Sequence, residues 1–258
     1  MKLFGRKELE KMLSGFSPAV AEKLVQFIEK HHGKSLERKV AVFDADGTLW
    51  HSDLGEAFFR YQIERGLVPN GPENAWDVYF QESNFGDTAK AFGWLAQWNH
   101  GVRSADMTRW AEEFFQTRWK QNVFAPMREL CHALLNANFE IWVISGSIYW
   151  PIEVGVRGFG VPADRVLATN VHVVDGKLTD KVAGITPYRA GKQLLVEQVV
   201  GAKPLLAAGN TFWDKELVST ATEINLAISS EPAGDRNFES EQKLKAIAES
   251  NGWLVQVF

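Results

Sequence analysis

Cysteine is almost absent: Cys131 is the only one in 258 residues, so no disulfide can close within the chain and stability must come from a packed core. A surplus of positive charge is missing too. Lys and Arg number 28 against 32 Asp and Glu, a formal net charge of -4, which disfavours nucleic acid as a partner and leaves no electrostatic pull toward anionic lipid. No apolar run approaches the roughly 20 residues of a membrane-spanning helix, and the opening Met1-Lys2-Leu3-Phe4-Gly5-Arg6-Lys7-Glu8 lacks the apolar stretch of a secretory signal. A cytoplasmic protein with a small-molecule partner, no nucleic acid and no membrane is expected. The histidines show no ligand spacing, no internal repeat is visible, and the oligomeric state is left open. What the chain does have is an ordinary apolar fraction of 45% and a length that holds a core domain with an insertion.

Ser17-Pro18, then Val20, Leu24, Val25 and Ile28, then Gly33 predict a helix with an N-cap, proline in its first turn, an apolar stripe and a glycine stop. His31 and His32 suit the negative pole of its dipole and are expected in solvent. Gly33-Lys34-Ser35 imitates the end of a phosphate loop, but Ile28 stands where the earlier glycine belongs and the segment precedes a strand, so that motif is rejected. From about 54 to 120, helical periodicities such as Phe58, Phe59, Ile63 and Met107, Trp110, Phe114 are broken by turns at Pro69-Asn70-Gly71-Pro72 and Asn99-His100-Gly101. Alternation then predicts a helix over 126–136, strands over 140–144 and 165–168, and a hairpin over 171–182 around Asp175-Gly176. A helix over 187–200, a strand over 204–208, a helix over 212–220, a strand over 223–228, a helix over 238–249 and a strand over 253–257 follow. The pattern is that of an α/β, Rossmann-like core with a mostly parallel sheet flanked by helices, carrying an all-helical cap inserted after the first strand. The core is expected to comprise 1–53 and 121–258, with 1–35 as a helical extension, and the cap 54–120.

In such a sheet, ligands bind beyond the carboxyl ends of the strands. The first predicted strand empties into Asp44-Ala45-Asp46-Gly47-Thr48, the second into Ser145-Gly146-Ser147, and the strand from Pro204 into Gly209-Asn210 with Asp214 one turn on. Lys192 opens the region before that strand. Two acids one residue apart can serve one site only if the strand ends between them, and Gly47 supplies the bend.

These segments, in this order, resemble the haloacid dehalogenase superfamily, whose members mostly hydrolyse phosphate esters through an aspartyl-phosphate. The hairpin between the second and third motifs and the helical insertion further resemble its phosphoserine phosphatase branch; the likeness covers about residues 39 to 230. It implies a phosphomonoesterase acting on a small phosphate ester with Mg²⁺ as cofactor. The chemistry suits the residue types. Asp44 can attack phosphorus once a cation held by Asp44, the Asp46 carbonyl and the Asn210 to Asp214 segment screens the repulsion. Asp46 can protonate the leaving oxygen. Gly47 and Gly146 amides, Thr48 and Ser145 hydroxyls and the Lys192 ammonium can bind phosphoryl oxygens, while Asp214 can orient metal-bound water or hold Lys192.

One departure stands out: the family usually has aspartate where Asn210 stands, so the site loses a charge but keeps an oxygen ligand. A weakly active or inactive binding protein is the alternative this raises. A phosphotransferase fits less well, and a dehalogenase, needing no leaving-group acid, is opposed by Asp46. In the phosphoserine branch a glutamate nine positions after the nucleophile holds the substrate ammonium; that position is Asp53, with Glu56 one turn further on. An amine-bearing ester of the phosphoserine or phosphocholine type is expected, the latter if Trp50 with Tyr149 or Trp150 forms a cation–π cage. No arginine for a carboxylate can be matched among Arg103, Arg109 and Arg118. Cys131, among Leu130, Leu134 and Leu135, belongs to the core.

Overall fold

β1 (Lys39–Phe43) is buried along its whole length, as a strand with layers on both faces must be. It pairs in parallel with β2 (Phe139–Ile148) on one side and β6 (Leu206–Gly209) on the other. β3 (Val166–Thr169), β7 (Ile224–Ser229) and β8 (Leu254–Val257) complete a six-stranded sheet of order β3-β2-β1-β6-β7-β8, parallel throughout. Spatial neighbours β1 and β6 are far apart in sequence, so connections leave in opposite directions between them and a crevice opens at their carboxyl ends. The computed structural model describes residues 3–32 and 38–258.

Helices α1 (Arg6–Met12) and α2 (Pro18–His31) precede β1. Between β1 and β2 lie α3 (Leu54–Glu64), α4 (Ala75–Phe85), α5 (Thr88–Gln97), α6 (Ser104–Phe114) and α7 (Ala125–Asn136). After β2 come α8 (Tyr149–Val156), α9 (Ala190–Leu195), α10 (Lys215–Val218) and α11 (Phe238–Asn251). The hairpin of β4 (Val171–Val174) and β5 (Lys177–Val182) turns through Asp175 and Gly176, both at positive φ. Its backbone is bonded to the loop between α5 and α6: Leu178 N–H donates to Val102 O at 2.9 Å and Gly101 N–H to Leu178 O at 2.8 Å. No helix among the described residues is long and apolar enough to cross a membrane.

Several elements differ from expectation. α1 has too few residues to show a period; its Glu8 Oε2 accepts the Gly5 N–H at 2.8 Å, and Leu9 anchors it in the core. The second strand runs on past residue 144 to Ile148, with its register broken between Ser145 and Ile148. The helix expected from 187 begins at Ala190, after Arg189 at φ 50°. His31 is buried at 6% exposure and its Nε2 lies 3.1 Å from Glu223 Oε1, correcting the expectation of solvent. Gly33 and the Gly33-Lys34-Ser35 segment lie outside the described residues. Cys131 is fully buried in the core.

Candidate active site

Asp44 follows β1 directly and its N–H donates to Ala208 O of β6 at 2.9 Å, so sheet pairing fixes its backbone. Beyond it the chain bends at Gly47, φ +72°, where an added Cβ would lie 1.9 Å from Asn210 Nδ2. Only glycine allows that bend against that side chain. β6 delivers Asn210, a 3₁₀ turn over Phe212–Asp214 delivers Asp214, α9 delivers Lys192, and the irregular end of β2 delivers Ser145.

Lys192 Nζ donates to Asp44 Oδ1 and to Asp214 Oδ1, both at 2.5 Å, and all three residues are buried. Burial, then the charge of Asp214, pushes the Asp44 carboxyl up to about 7 against the pull of Lys192. Burial alone would lower the Lys192 ammonium, but Asp214 and Asp44 outweigh it and the net shift is upward. Thr48 Oγ1 donates to Asp44 Oδ2 at 3.1 Å and lies 3.4 Å from Asn210 Oδ1.

Asp46 sits beside this group. Its Oδ1 accepts from Trp50 Nε1 at 2.8 Å and Leu54 N at 2.7 Å, and its Oδ2 accepts from Ser147 Oγ at 2.6 Å. Burial raises its pKa although these bonds oppose the rise. Ser147 N–H donates in turn to Ser145 Oγ at 3.2 Å. Phe92 of α5 covers Gly146 so closely that a Cβ there would lie 2.7 Å from its ring.

A cavity of about 550 Å³ opens over these groups, with Asp53 and Glu56 on one wall and Tyr188, Arg189 and Trp213 on another. Asp53 caps α3 through Oδ1, which accepts the Glu56 N–H at 2.7 Å; its Oδ2 makes no hydrogen bond among the described residues. Burial, then the charges of Asp46 and Glu56, raises its carboxyl well above the ordinary range. Glu56 is spent: Arg236 holds it bidentately at 3.0 and 2.9 Å and Tyr79 Oη donates to it at 2.9 Å. The expectation that it meets an ammonium is therefore corrected. The aromatic cage is corrected as well, since Trp50 and Trp150 are buried at 0% and 2% exposure and neither they nor Tyr149 lines the cavity. Trp50 serves Asp46 instead, while Trp150 Nε1 donates to Ser104 Oγ at 3.1 Å and Tyr149 stacks edge-on against Trp150.

Asp214 does not offer a free oxygen to a metal. Its Oδ2 accepts from Thr211 N and Thr211 Oγ1, each at 3.0 Å, and Oδ1 is on Lys192, so holding Lys192 is the part the geometry gives it. Among the described residues no three His, Cys, Asp or Glu side chains gather as a metal cluster. The remaining oxygen donors still fit Mg²⁺. Asp44 Oδ2 and Asn210 Oδ1 converge on one hydroxyl, and Mg²⁺ takes one or two carboxylates and keeps several waters for the rest of its shell.

Sequence reasoning missed Ser147 on Asp46, Arg236 on Glu56, Glu241 on Asn210, and the stack in which the Arg189 guanidinium lies 4.1 Å from the Trp213 ring centre and 5.0 Å from that of Tyr188. Only Ser147 had a signal, its place at the end of a strand. Arg103 and Arg109 pair with Asp106, and Arg118 with Glu64, all away from the cavity.

Known proteins bear on this arrangement. The phosphoserine phosphatase SerB1 of Mycobacterium tuberculosis is 23% identical over 232 residues, covering 84% of this chain and 70% of that protein. A protein of unknown function from Bordetella pertussis Tohama I superposes with TM-score 0.68 at 21% identity, covering 84% of this chain and 97% of that one. A substrate-bound phosphoserine phosphatase superposes with TM-score 0.51 at 18% identity, over 84% of this chain and 99% of that one. The model of the haloacid dehalogenase-like hydrolases matches residues 41–211, which run from inside β1 to just past Asn210 and so span the strand ends carrying Asp44, Ser145 and Asn210. With its six parallel strands and that match, the chain belongs to the haloacid dehalogenase-like hydrolase family, on the side of it that resembles phosphoserine phosphatases.

Proposed function

We propose that this chain is a Mg²⁺-dependent phosphomonoesterase that hydrolyses a small, amine-bearing phosphate ester through an aspartyl-phosphate on Asp44. The observation that carries the reading is the Asp44–Lys192–Asp214 arrangement at the strand ends, with Asp46 beside it. A carboxylate oxygen of Asp44 attacks phosphorus and the ester P–O bond breaks. Asp46, whose raised pKa favours the acid form, gives its proton to the departing oxygen and later takes one from the water that attacks the intermediate and frees Asp44. Thr48, Ser145 and the amides of Gly47 and Gly146 donate to the phosphoryl oxygens, and Lys192 offsets charge as it spreads in the transition state. Asp44, the Asp46 carbonyl and Asn210 Oδ1 would hold Mg²⁺, which supplies electrostatic screening between the attacking carboxylate and the phosphoryl group. Residues 54–120 act as a cap over a core of 1–53 and 121–258, and Phe92 is the cap side chain that excludes water above Gly146.

The test is phosphate release from phosphoserine, phosphoethanolamine, phosphocholine, sugar phosphates and p-nitrophenyl phosphate, with Mg²⁺ and with chelator. Release that needs Mg²⁺ is expected. Silence across the panel at high Mg²⁺ would overturn the reading in favour of a fold kept for binding, the alternative that Asn210 supports.

Two groups on the cavity wall support a substrate of the phosphoserine type over phosphocholine. Asp53 lines the cavity, and its Oδ2 makes no hydrogen bond among the described residues, which leaves it an acceptor for a substrate ammonium. The Arg189 guanidinium lies near two aromatic rings and makes no hydrogen bond or ion pair among the described residues, so its N–H groups are available to a carboxylate. Asp53→Asn is expected to raise KM for phosphoserine and phosphoethanolamine by about 10-fold or more and to leave p-nitrophenyl phosphate unchanged. Arg189→Ala should raise KM for phosphoserine alone. Equal effects on all esters would remove both residues from substrate recognition.

A further inference from the structure

Asn210 stands where the family resemblance has an aspartate, and a carboxylate lies directly behind it. Glu241, in the first turn of α11, is fully buried. Its Oε1 accepts from Asn210 Nδ2 at 3.1 Å, and its Oε2 accepts from Ser230 N at 2.9 Å, Glu231 N at 3.0 Å and Ser229 Oγ at 3.2 Å. No Lys, Arg or His pairs with it among the described residues. A buried carboxylate held only by neutral donors is an expensive arrangement, so its place against Asn210 calls for a reason.

The amide of asparagine has an accepting end and a donating end that differ little in shape. Because Glu241 can only accept, Nδ2 must turn toward it, and Oδ1 is left facing Thr48 and Asp44. On the Nδ2 side the amide is also packed against the Gly47 backbone. Flipped, the amide would present N–H groups to any cation beside Asp44. A negative charge behind the amide also polarises it and makes Oδ1 a stronger ligand.

We propose that Glu241 is a positioning residue of the cation site: it orients the Asn210 amide with Oδ1 toward Asp44 and supplies, one hydrogen bond behind, the negative charge that an aspartate at 210 would carry. The proposal rests on the cation reading above. It makes 210 and 241 a matched pair with two acceptable states. Asn with Glu sets a donor against an acceptor, and so does Asp with Gln, since Gln Oε1 can keep the Ser230 and Glu231 N–H groups while its Nε2 donates to Asp. Asn with Gln forces Asn210 to flip or leaves two NH₂ groups facing each other. Asp with Glu sets two carboxylates against one another.

The full-length wild type, E241Q, N210D and the double variant N210D/E241Q are stripped with chelator, titrated with Mg²⁺ by calorimetry, and melted without metal. E241Q is expected to lose about 10- to 100-fold in Mg²⁺ affinity, N210D to melt lower than wild type in the absence of metal, and the double variant to recover both properties. Additive losses in the double variant would overturn the proposal, because they mark Glu241 as a mere anchor for the Ser230 and Glu231 backbone. Unchanged Mg²⁺ affinity in E241Q would overturn it while leaving the cation reading in place. A wild type that binds no Mg²⁺ overturns the cation reading and this proposal together. If E241Q alone does not fold, a folded, Mg²⁺-binding double variant supports the pairing and an unfolded one overturns it.

Discussion

Asp44→Asn is expected to abolish phosphate release, by at least about 10⁴-fold, and at the same time to make the metal-free protein more stable. The first effect follows from chemistry: an amide oxygen is too weak a nucleophile to form the phosphoryl-enzyme. The second follows from burial. The Asp44 carboxyl is pushed up to about 7, so the folded state holds a proton that the unfolded chain, with an ordinary aspartate near 3.8, has already released. A raised pKa of this kind favours the folded state at low pH and loses that advantage as pH rises through the folded value. Above about 7 the folded state carries the full penalty of a buried carboxylate facing Asp214, on the order of a few kcal/mol. Asparagine removes it, and Lys192 keeps Asp214 as its partner. Melting in chelator should therefore show the variant above wild type by several degrees at pH 8, at about 2–4 °C per kcal/mol, with the difference shrinking toward pH 4. Retained turnover would overturn the nucleophile. A variant that melts lower than wild type at pH 8 would overturn the electrostatic account of the site.

The sheet was legible in the sequence because its strands announce themselves locally. Val40 to Phe43 are apolar without interruption, and the carboxylates that follow could not lie in a sheet interior, so the strand end and the crevice were read together. Asp44, Asp46, Ser145 and Asn210 were singled out on that logic and Lys192 by the family resemblance, and the fold brings all five to one crevice. What stayed hidden depends on pairing between distant segments. Arg236 meets Glu56 across 180 residues and Glu241 meets Asn210 across 31. In sequence, Glu241 is one acid among several in a polar helix, and nothing local says that the loop after β7 wraps its carboxylate in backbone N–H groups. Arg189 takes a positive φ that sequence reading assigns to glycine or asparagine, so the helix carrying Lys192 was expected to begin too early. Trp50 was misread for a different reason. An indole beside acids suggests an aromatic wall, whereas its N–H is a donor that a buried acid four residues earlier can use.

Lys192→Met should be inactive like Asp44→Asn but opposite to it in stability. Methionine matches the length of the lysine stem, so packing changes little, but the ammonium bridging Asp44 Oδ1 and Asp214 Oδ1 is gone. Two buried carboxylates then face each other without a cation, and breaking a buried ionic group in this way costs about 3–5 kcal/mol. Lys192 is what pulls the Asp44 pKa down, so without it that pKa climbs further. The sign is the same as in wild type: stability is kept at low pH and lost as pH rises, now over a wider range. The metal-free variant should melt about 6–20 °C below wild type at pH 8, at about 2–4 °C per kcal/mol, and recover much of the deficit near pH 5. Combining the two substitutions removes the facing pair altogether, so Asn at 44 should raise the melting temperature of Lys192→Met by more than it raises that of wild type, without restoring any turnover. Equal melting of Lys192→Met and wild type at pH 8 would mean that the ammonium contributes nothing to holding these carboxylates together. Additive behaviour of the double variant would mean that Lys192 acts on the fold through its stem alone.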